Sequence, residues 1–390
     1  MKTNKLRILF ISTLETHPWG GCEELWSLAA IELAKEGHDI AVSLKAWPEE
    51  HPRLNELRTA GCQIIKRQDR TKLSYATRLI GKIRRGGKSG KTEWLERLCS
   101  KFRPHLVCFS DGTTITRAGW MKKLMGLQTP FVNIAQANAE AFWPHDRKAE
   151  QLRMVALGAQ RMFFVSEENR RLFEDQIAQP LSNSEVVWNP FQVPFHSKLD
   201  WPDTSKTLKL ALVGRLEIFP KGHDLLFRVL SSPKWRERNI EVHLFGNGSN
   251  AKSIQRLIET YNLEKHVFIR GYANNVLNIW KECHALVLPS RHEGMPLAII
   301  EAMLCERPVI TTDIAGNASL IEHGVNGFVA ESPYPVALRR AMEAAWQARS
   351  QWQSIGKAAG ECSRQNIPAN PPREFAKKLV MIAQELESLR

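Results

Sequence analysis

The sequence predicts an α/β protein of two domains, each built on a parallel sheet, followed by a separate carboxyl-terminal helix. Three observations carry that prediction. Short apolar runs of strand length alternate with stretches of helical periodicity, the pattern of βαβ units. The rhythm stops between Trp188 and Pro202, where Pro190, Pro194 and Pro202 accumulate, and then restarts. The chain has 390 residues, 43% hydrophobic and 24% charged, a length and composition that suit two globular domains and exclude a disordered or fibrous protein. The expected segments are residues 1–190, 203–365 and 373–390.

The first unit is complete within the opening residues. Leu6 to Ser12 reads as a buried parallel strand, Pro18-Trp19-Gly20-Gly21 as a turn, Glu23 to Glu36 as a helix with apolar residues at helical spacing, and Asp39 to Leu44 as the next strand. The glycine turn thus falls at the carboxyl end of a strand, where open α/β sheets place their ligands. Further strands are expected at His105–Phe109, Pro130–Ile134 and Arg161–Val165. After the proline-rich break, strands are expected at Leu208–Val213, Ile240–Phe245, Val267–Arg270, Ala285–Leu288 and Pro308–Thr311. Pro368, Pro371 and Pro372 mark a second break, beyond which Phe375, Leu379, Ile382, Ala383 and Leu386 share one face of a last helix, expected to be separate from the second sheet. A cleft between the two domains is the natural place for a site.

Seven cysteines, odd in number and without a C-x-x-C pair, indicate neither a disulfide framework nor a zinc site and fit a reducing cytoplasm. The apolar run after Lys2, Lys5 and Arg7 is broken at Ser12 and Thr13 and has no small-residue cleavage site, so it reads as a strand and not as a signal peptide. No stretch reaches the roughly 18 apolar residues of a membrane span. Lysine and arginine number 54 against 41 acidic residues, a formal charge of +13 that points to an acidic partner.

Chemistry is concentrated in Pro289-Ser-Arg-His-Glu-Gly-Met-Pro-Leu-Ala-Ile-Ile-Glu-Ala-Met303. Glu293 lies in a loop after a buried strand, and Glu301 sits two turns into the helix that starts near Pro296. Free N–H groups at such a helix mouth suit a phosphate, and Gly294 permits close backbone approach. Val213-Gly214-Arg215-Leu-Glu217 and Pro220-Lys221-Gly222 put an Arg and a Lys on the loop after the second domain's first strand, on the same sheet edge. A carboxylate pair and a cationic pair converge where a pyrophosphate can sit. Taken alone, Glu293 reads as a capping carboxylate and Arg215 and Lys221 as solvated charges.

With these motifs in place, the sequence resembles the retaining glycosyltransferases of family 4, whose GT-B architecture has two facing Rossmann-like domains. The likeness is strongest from Val213 to Ala330, including Pro308–Gly316 and Gly324–Val329. It implies that Arg215 and Lys221 neutralise the diphosphate of a nucleotide sugar and that Glu293 contacts the donor sugar. By the same likeness, the amides of Gly294, Met295 and Leu297 meet sugar and phosphate, and Glu301 holds the ribose hydroxyls. Gly20-Gly21-Cys22-Glu23 looks like the family's glycine-rich first loop, although a plain strand-to-helix turn reads equally well. Two departures stand out. Gln136 occupies the place of a histidine usual in the family, so acid or base chemistry is excluded there while hydrogen bonding is retained. Ser319 stands where the pattern has Glu. Gln136, Asn138 and Asp111 are candidate acceptor or sugar contacts, and His145-Asp146 is a further polar pair. A helix cap is the plain reading of Asp111, and a solvated pair that of His145-Asp146.

Gly246-Asn-Gly-Ser-Asn-Ala251 imitates half of a dinucleotide fingerprint but lacks the third glycine and reads as a turn. Gly87-Lys-Ser and Gly90-Lys-Thr fail the phosphate-loop spacing. Residues 66–91 hold ten lysines and arginines against Asp69 alone. Leu73 to Arg85 reads either as a solvated helix or as a basic amphipathic helix on an anionic membrane. Sparse aromatics in that window and the lack of a recognisable module argue against nucleic acid.

The resulting expectation is a metal-independent retaining hexosyltransferase without a cofactor. It takes a nucleotide-sugar donor and a lipid-linked or polysaccharide acceptor in envelope or exopolysaccharide synthesis, in the cytoplasm or peripherally on the membrane's inner face. A nucleotide-sugar epimerase or hydrolase, and a silent nucleotide-sugar or polyanion-binding protein, are the alternative readings.

Overall fold

A computed structural model describes residues 5–67, 92–203 and 207–388. The chain forms two compact units, Met1–Asn189 with Asn370–Arg390, and Pro190–Ala369.

In the first unit, β1 (Arg7–Ser12), β2 (Asp39–Lys45), β3 (Gln63–Arg67), β4 (Leu106–Asp111), β5 (Phe131–Ala135), β6 (Arg161–Phe164) and β7 (Ser184–Val186) make one sheet in the order β3-β2-β1-β4-β5-β6-β7. Every pairing is parallel. Strands of such a sheet are covered on both faces, which is why Ile8, Leu9, Phe10 and Ile11 are all fully buried rather than alternating. One face packs with Leu25, Trp26, Ala29 and Leu33 of the helix Glu24–Lys35, and the other with Leu95, Met121, Leu124 and Val155.

The second unit contains β8 (Leu208–Val213), β9 (Ile240–Phe245), β10 (Val267–Gly271), β11 (Ala285–Leu288), β12 (Val309–Thr312) and β13 (Gly327–Ala330), in the order β10-β9-β8-β11-β12-β13. Its pairings are parallel too. Each sheet reverses its winding once, at β1/β4 and at β8/β11. At such a switch point the connections leave towards opposite faces of the sheet, and ligands bind outside the carboxyl ends of the two strands.

Two segments refine the sequence-based expectation. The last helix, Pro371–Ser388, is separate from the second sheet, as expected, and is a part of the first unit rather than a segment of its own: Phe375, Ala376, Leu379, Ile382 and Ala383 are buried with Trp26 and Ala29, and Phe375 meets Phe163 edge-on at 5.1 Å. Its apolar stripe finds there the partner that an amphipathic helix requires. Residues 190–202 belong to the second unit rather than standing as a linker. Arg307, 1% exposed, donates to the carbonyl of Asp200 at 2.8 Å and to those of Trp280 and Cys283, and so ties the segment down. Strands β3 and β7, partly exposed and short, lack the apolar run that announces the others. The basic window 66–91 contributes only Lys66 and Arg67 to the described residues, and the helix expected over Leu73 to Arg85 lies outside them.

Candidate active site

In the second unit the loops that follow β8 and β11 meet at the switch point. Lys221 Nζ lies 2.6 Å from Glu293 Oε1, with side-chain exposures of only 14% and 9%. Ser290 Oγ donates to the same oxygen at 2.6 Å. The carboxylate is therefore fixed through one oxygen, and its other oxygen takes no hydrogen bond among the described residues. The loop that carries Glu293 is braced from β12: Thr312 Oγ1 donates to the carbonyl of Ser290 at 2.6 Å, and Gly316 N–H to that of Gly294 at 3.0 Å. Arg291 grips Asp224 with two bonds of 2.7 Å, which ties this loop to the helix His223–Leu230. The helix Leu297–Leu304 begins directly after, with Pro296 as its cap residue, as the sequence predicts.

The predicted residues are not all gathered. Arg215 is 60% exposed and pairs with Glu217 at 3.0 Å, apart from the Lys221–Glu293 pair. Met295 is 5% exposed and packed away, and Leu297 opens the helix. Glu301, expected to hold ribose hydroxyls, accepts the Gln192 N–H at 2.9 Å through Oε1. Burial pushes its carboxyl up from 4.5 to about 7, against the pull of that bond. A carboxyl with a higher pKa in the folded state keeps its proton longer there, so its contribution is full below pH 4.5 and is lost as pH rises towards about 7. Glu301→Gln is expected to leave the Tm near pH ~4 unchanged and to raise it by roughly 6–12 °C near pH ~8. Equal Tm shifts at both pH values in a melting series would contradict this.

In the first unit Gly20 and Gly21 open a short 3-10 turn that ends at Glu23, whose N–H bonds the Gly20 carbonyl at 2.9 Å. Glu23 is 2% exposed, and burial drives its carboxyl up to about 7, opposed by the polar groups of Ser12, Trp26 and Cys22, of which the Cys22 thiol donates to it at 3.7 Å. Asp111 is not presented to a ligand. It is fully buried, accepts the Thr13 hydroxyl at 2.6 Å and the Thr116 N–H at 3.1 Å, and bonds the Thr116 hydroxyl as well. Burial raises its carboxyl to about 6. The residue thus fastens the loops after β1 and β4 from beneath. Gln136 accepts the Asn189 amide at 2.7 Å, and its own Nε2 is buried without a partner. Asn138 is 3% exposed and donates to Gln176 at 3.0 Å. His145 caps the helix Asp146–Gly158 by accepting the Lys148 N–H. Among the described residues no group of three or more His, Cys, Asp or Glu could hold a metal ion.

The profile of the family described as glycosyl transferases group 1 matches residues 196–361, which include Arg215, Lys221, Glu293 and Glu301. The chain carries a group 1 glycosyltransferase domain. The likeness to solved structures extends over nearly the whole chain. Anabaena HepE in complex with UDP superposes with a TM-score of 0.72 over 96% of this chain and 100% of that one, at 17% identity. The lipopolysaccharide outer core galactosyltransferase WaaB gives 0.69 over 97% and 100%, also at 17% identity. The fold is therefore GT-B, with two Rossmann-like units. In sequence, the chain is 34% identical to the poly(ribitol-phosphate) alpha-N-acetylglucosaminyltransferase of Staphylococcus aureus over 29% of its own length and 23% of that relative. It is 34% identical to the UDP-Gal:alpha-D-GlcNAc-diphosphoundecaprenol alpha-1,3-galactosyltransferase of Escherichia coli over 31% of its length and 32% of that enzyme. These matches span less than a third of either curated relative.

Within the group 1 domain, the glycines after β9 have a role that their sequence does not announce. Gly246 and Gly248 do form a turn, and that turn supports the Arg215 loop. At Gly246, with φ +140, a Cβ would stand 2.0 Å from the Gly214 carbonyl oxygen, and at Gly248 2.5 Å from that of Leu216. Leu216 N–H bonds the Asn247 carbonyl at 3.0 Å, and Asn250 Oδ1 accepts the Ile218 N–H at 3.0 Å. Two glycines immediately after a strand are the available signal. Glu23, Arg67 and the Arg291–Asp224 pair escape sequence reasoning, because only the folded chain shows their partners.

Proposed function

We propose that the protein is a retaining glycosyltransferase that moves a hexose-type sugar from a nucleoside diphosphate to an acceptor hydroxyl, without a metal ion or other cofactor. The observation that carries this reading is the buried Lys221–Glu293 pair at the β8/β11 switch point, inside a group 1 domain. In sugar transfer from a diphosphate, negative charge builds on the leaving group. A placed ammonium, the exposed Arg215 guanidinium and the amides at the start of the helix Leu297–Leu304 are groups that stabilise such charge. The second oxygen of Glu293 is available to a sugar hydroxyl. Relatives named for transfer onto poly(ribitol-phosphate) and onto a diphosphoundecaprenol-linked sugar support an acceptor in envelope or surface-polysaccharide assembly.

Incubation with a panel of labelled nucleotide sugars and lipid or polysaccharide extracts tests the reading. Release of nucleoside diphosphate together with a labelled product that keeps the donor's anomeric configuration is the expected outcome, unaffected by a chelator. Saturable donor binding with no turnover would instead identify a silent binder, and an altered free sugar an epimerase or hydrolase.

No helix among the described residues is long and apolar enough to cross a membrane. Attachment is assigned to the charge of residues 66–91, which suits an anionic surface. A Lys82/Arg84/Arg85→Ser variant is expected to lose sedimentation with phosphatidylglycerol vesicles at low salt. Unchanged sedimentation would remove this part of the proposal.

A further inference from the structure

Lys45 is the last residue of β2 and Arg67 the last of β3, Glu15 lies on the loop after β1, and Arg117 on the loop after β4. These four strands are neighbours, so the four charges line one continuous stretch of the sheet's carboxyl edge. They also touch. Arg117 pairs with the Glu15 carboxylate, and Lys45 Nζ donates to the Glu15 carbonyl at 3.0 Å. Arg67 reaches across the edge to the Ser12 carbonyl and to Ser43 Oγ at 3.0 Å. The Arg67 and Arg117 guanidinium carbons lie 5.2 Å and 5.3 Å from the centre of the same ring, that of Trp120.

Three cations therefore surround Glu15: Arg117 pairs with its carboxylate, Lys45 with its backbone carbonyl, and Arg67 feels the carboxylate's charge through space. The buried carboxyl of Glu23 is the other acidic group that acts on Arg67, and Arg117 opposes Arg67 as a like charge. Glu15 is a modest partner: its side chain is 39% exposed, and exposed ion pairs are weakly held. It also leaves donor capacity unmet, because Arg117 Nε is buried with no acceptor at all. A guanidinium offers five N–H donors in a planar fork, and a phosphate group brings more acceptor oxygens and more charge than one carboxylate can.

We propose that Lys45, Arg67 and Arg117 form a phosphate-binding subsite for the acceptor, and that the Glu15 carboxylate is a stand-in displaced when a phosphate-bearing acceptor enters. Only the word acceptor rests on the glycosyltransferase reading; the subsite itself is a property of the first unit. The phosphate can belong to a water-soluble polyol phosphate or to a lipid phosphate, both of which present the same phosphate group.

Titration calorimetry on the full chain with glycerol 3-phosphate as probe tests this. Binding is expected to weaken at least tenfold in Arg117→Ala and to tighten several-fold in Glu15→Gln, and plain glycerol is expected not to bind. Lys221→Ala, which disables the donor side, is expected to leave the affinity for the probe unchanged. Loss of probe binding in Lys221→Ala places the phosphate in the donor site and overturns the proposal, as does retained affinity in Arg117→Ala. The Glu15→Gln arm answers separately from any folding defect, because it removes a charge and predicts a gain; no gain overturns the stand-in. A short-chain lipid phosphate that competes with the probe identifies a lipid source, and failure to compete a soluble one, with the subsite upheld in both cases. Donor binding that fails while these results hold removes the transferase reading and leaves the subsite.

Discussion

Lys221→Met is expected to lower the transfer rate by about 10²–10³-fold, the usual consequence of removing one preorganised charge from a developing anion. The expectation rests on where the ammonium stands. Lys221 is 14% exposed, and its partner Glu293 is 9% exposed. Removing the lysine leaves a largely buried carboxylate held by the Ser290 hydroxyl at 2.6 Å, and stranding one member of a buried pair destabilises by about 3–5 kcal/mol. The variant is therefore expected to lose both donor affinity and stability. Glu293→Gln separates the two effects. It keeps an oxygen for Ser290 and Lys221 but removes the negative charge, so the Tm is expected to fall much less than in Lys221→Met while transfer still drops. Combining both substitutions should restore part of the lost stability without restoring activity, because the stranded charge is gone while the ammonium proposed to face the leaving group is still missing. Melting curves and donor titrations on the four proteins check this. A double variant no more stable than Lys221→Met would show that the pair is not coupled.

Sequence patterning reveals the frame of the molecule more completely than its site. Strands buried on both faces, such as Arg7–Ser12 and Ala285–Leu288, are legible because continuous apolar runs of that length have few other uses. The edge strands Gln63–Arg67 and Ser184–Val186 are not, since one is half polar and the other has three residues. The Lys221 and Glu293 loops are legible as neighbours because parallel strands send their loops to a common edge. The contact itself is not, because it depends on the β8/β11 adjacency. Asp111 shows the opposite limit. An aspartate after a strand reads as available, yet its exposure depends on Thr13 and Thr116, which close over it from the loops after β1 and β4. Glu301 illustrates a similar point: helical spacing places it correctly, but its present partner, the Gln192 backbone, comes from a segment whose sequence shows only a break in rhythm. The net charge of +13 points to an acidic partner, and the clustering of Lys45, Arg67 and Arg117 around Glu15 locates one such attraction on the described surface.

Gly222→Ala is expected to destabilise the second unit by roughly 3 kcal/mol or more and to disable donor binding with it. Gly222 ends the turn Ile218–Lys221 and adopts φ +68, a left-handed conformation that costs an L-residue about 1–2 kcal/mol. Steric overlap costs more. A Cβ at this position would stand 1.9 Å from the carbonyl oxygen of Pro289 and 2.8 Å from its carbonyl carbon. Both are backbone atoms, so no side-chain rotation can relieve the overlap, and the two loops must move apart. Those are the loops that carry Lys221 and Glu293, whose pairing at 2.6 Å depends on that approach. Arg291 N–H, bonded to the Pro220 carbonyl at 2.9 Å, spans the same gap and is strained by the same separation. In a unit of this size the Tm is expected to fall by roughly 6–12 °C, with nucleotide affinity lost well below the melting temperature. Gly324, also left-handed at φ +82 but with nothing within 4 Å of its Cβ position, supplies the control. Gly324→Ala bears the conformational strain alone, so it should lose less stability than Gly222→Ala and leave nucleotide binding intact. Equal effects of the two substitutions on binding would show that the close approach at Pro289 does not hold the site together.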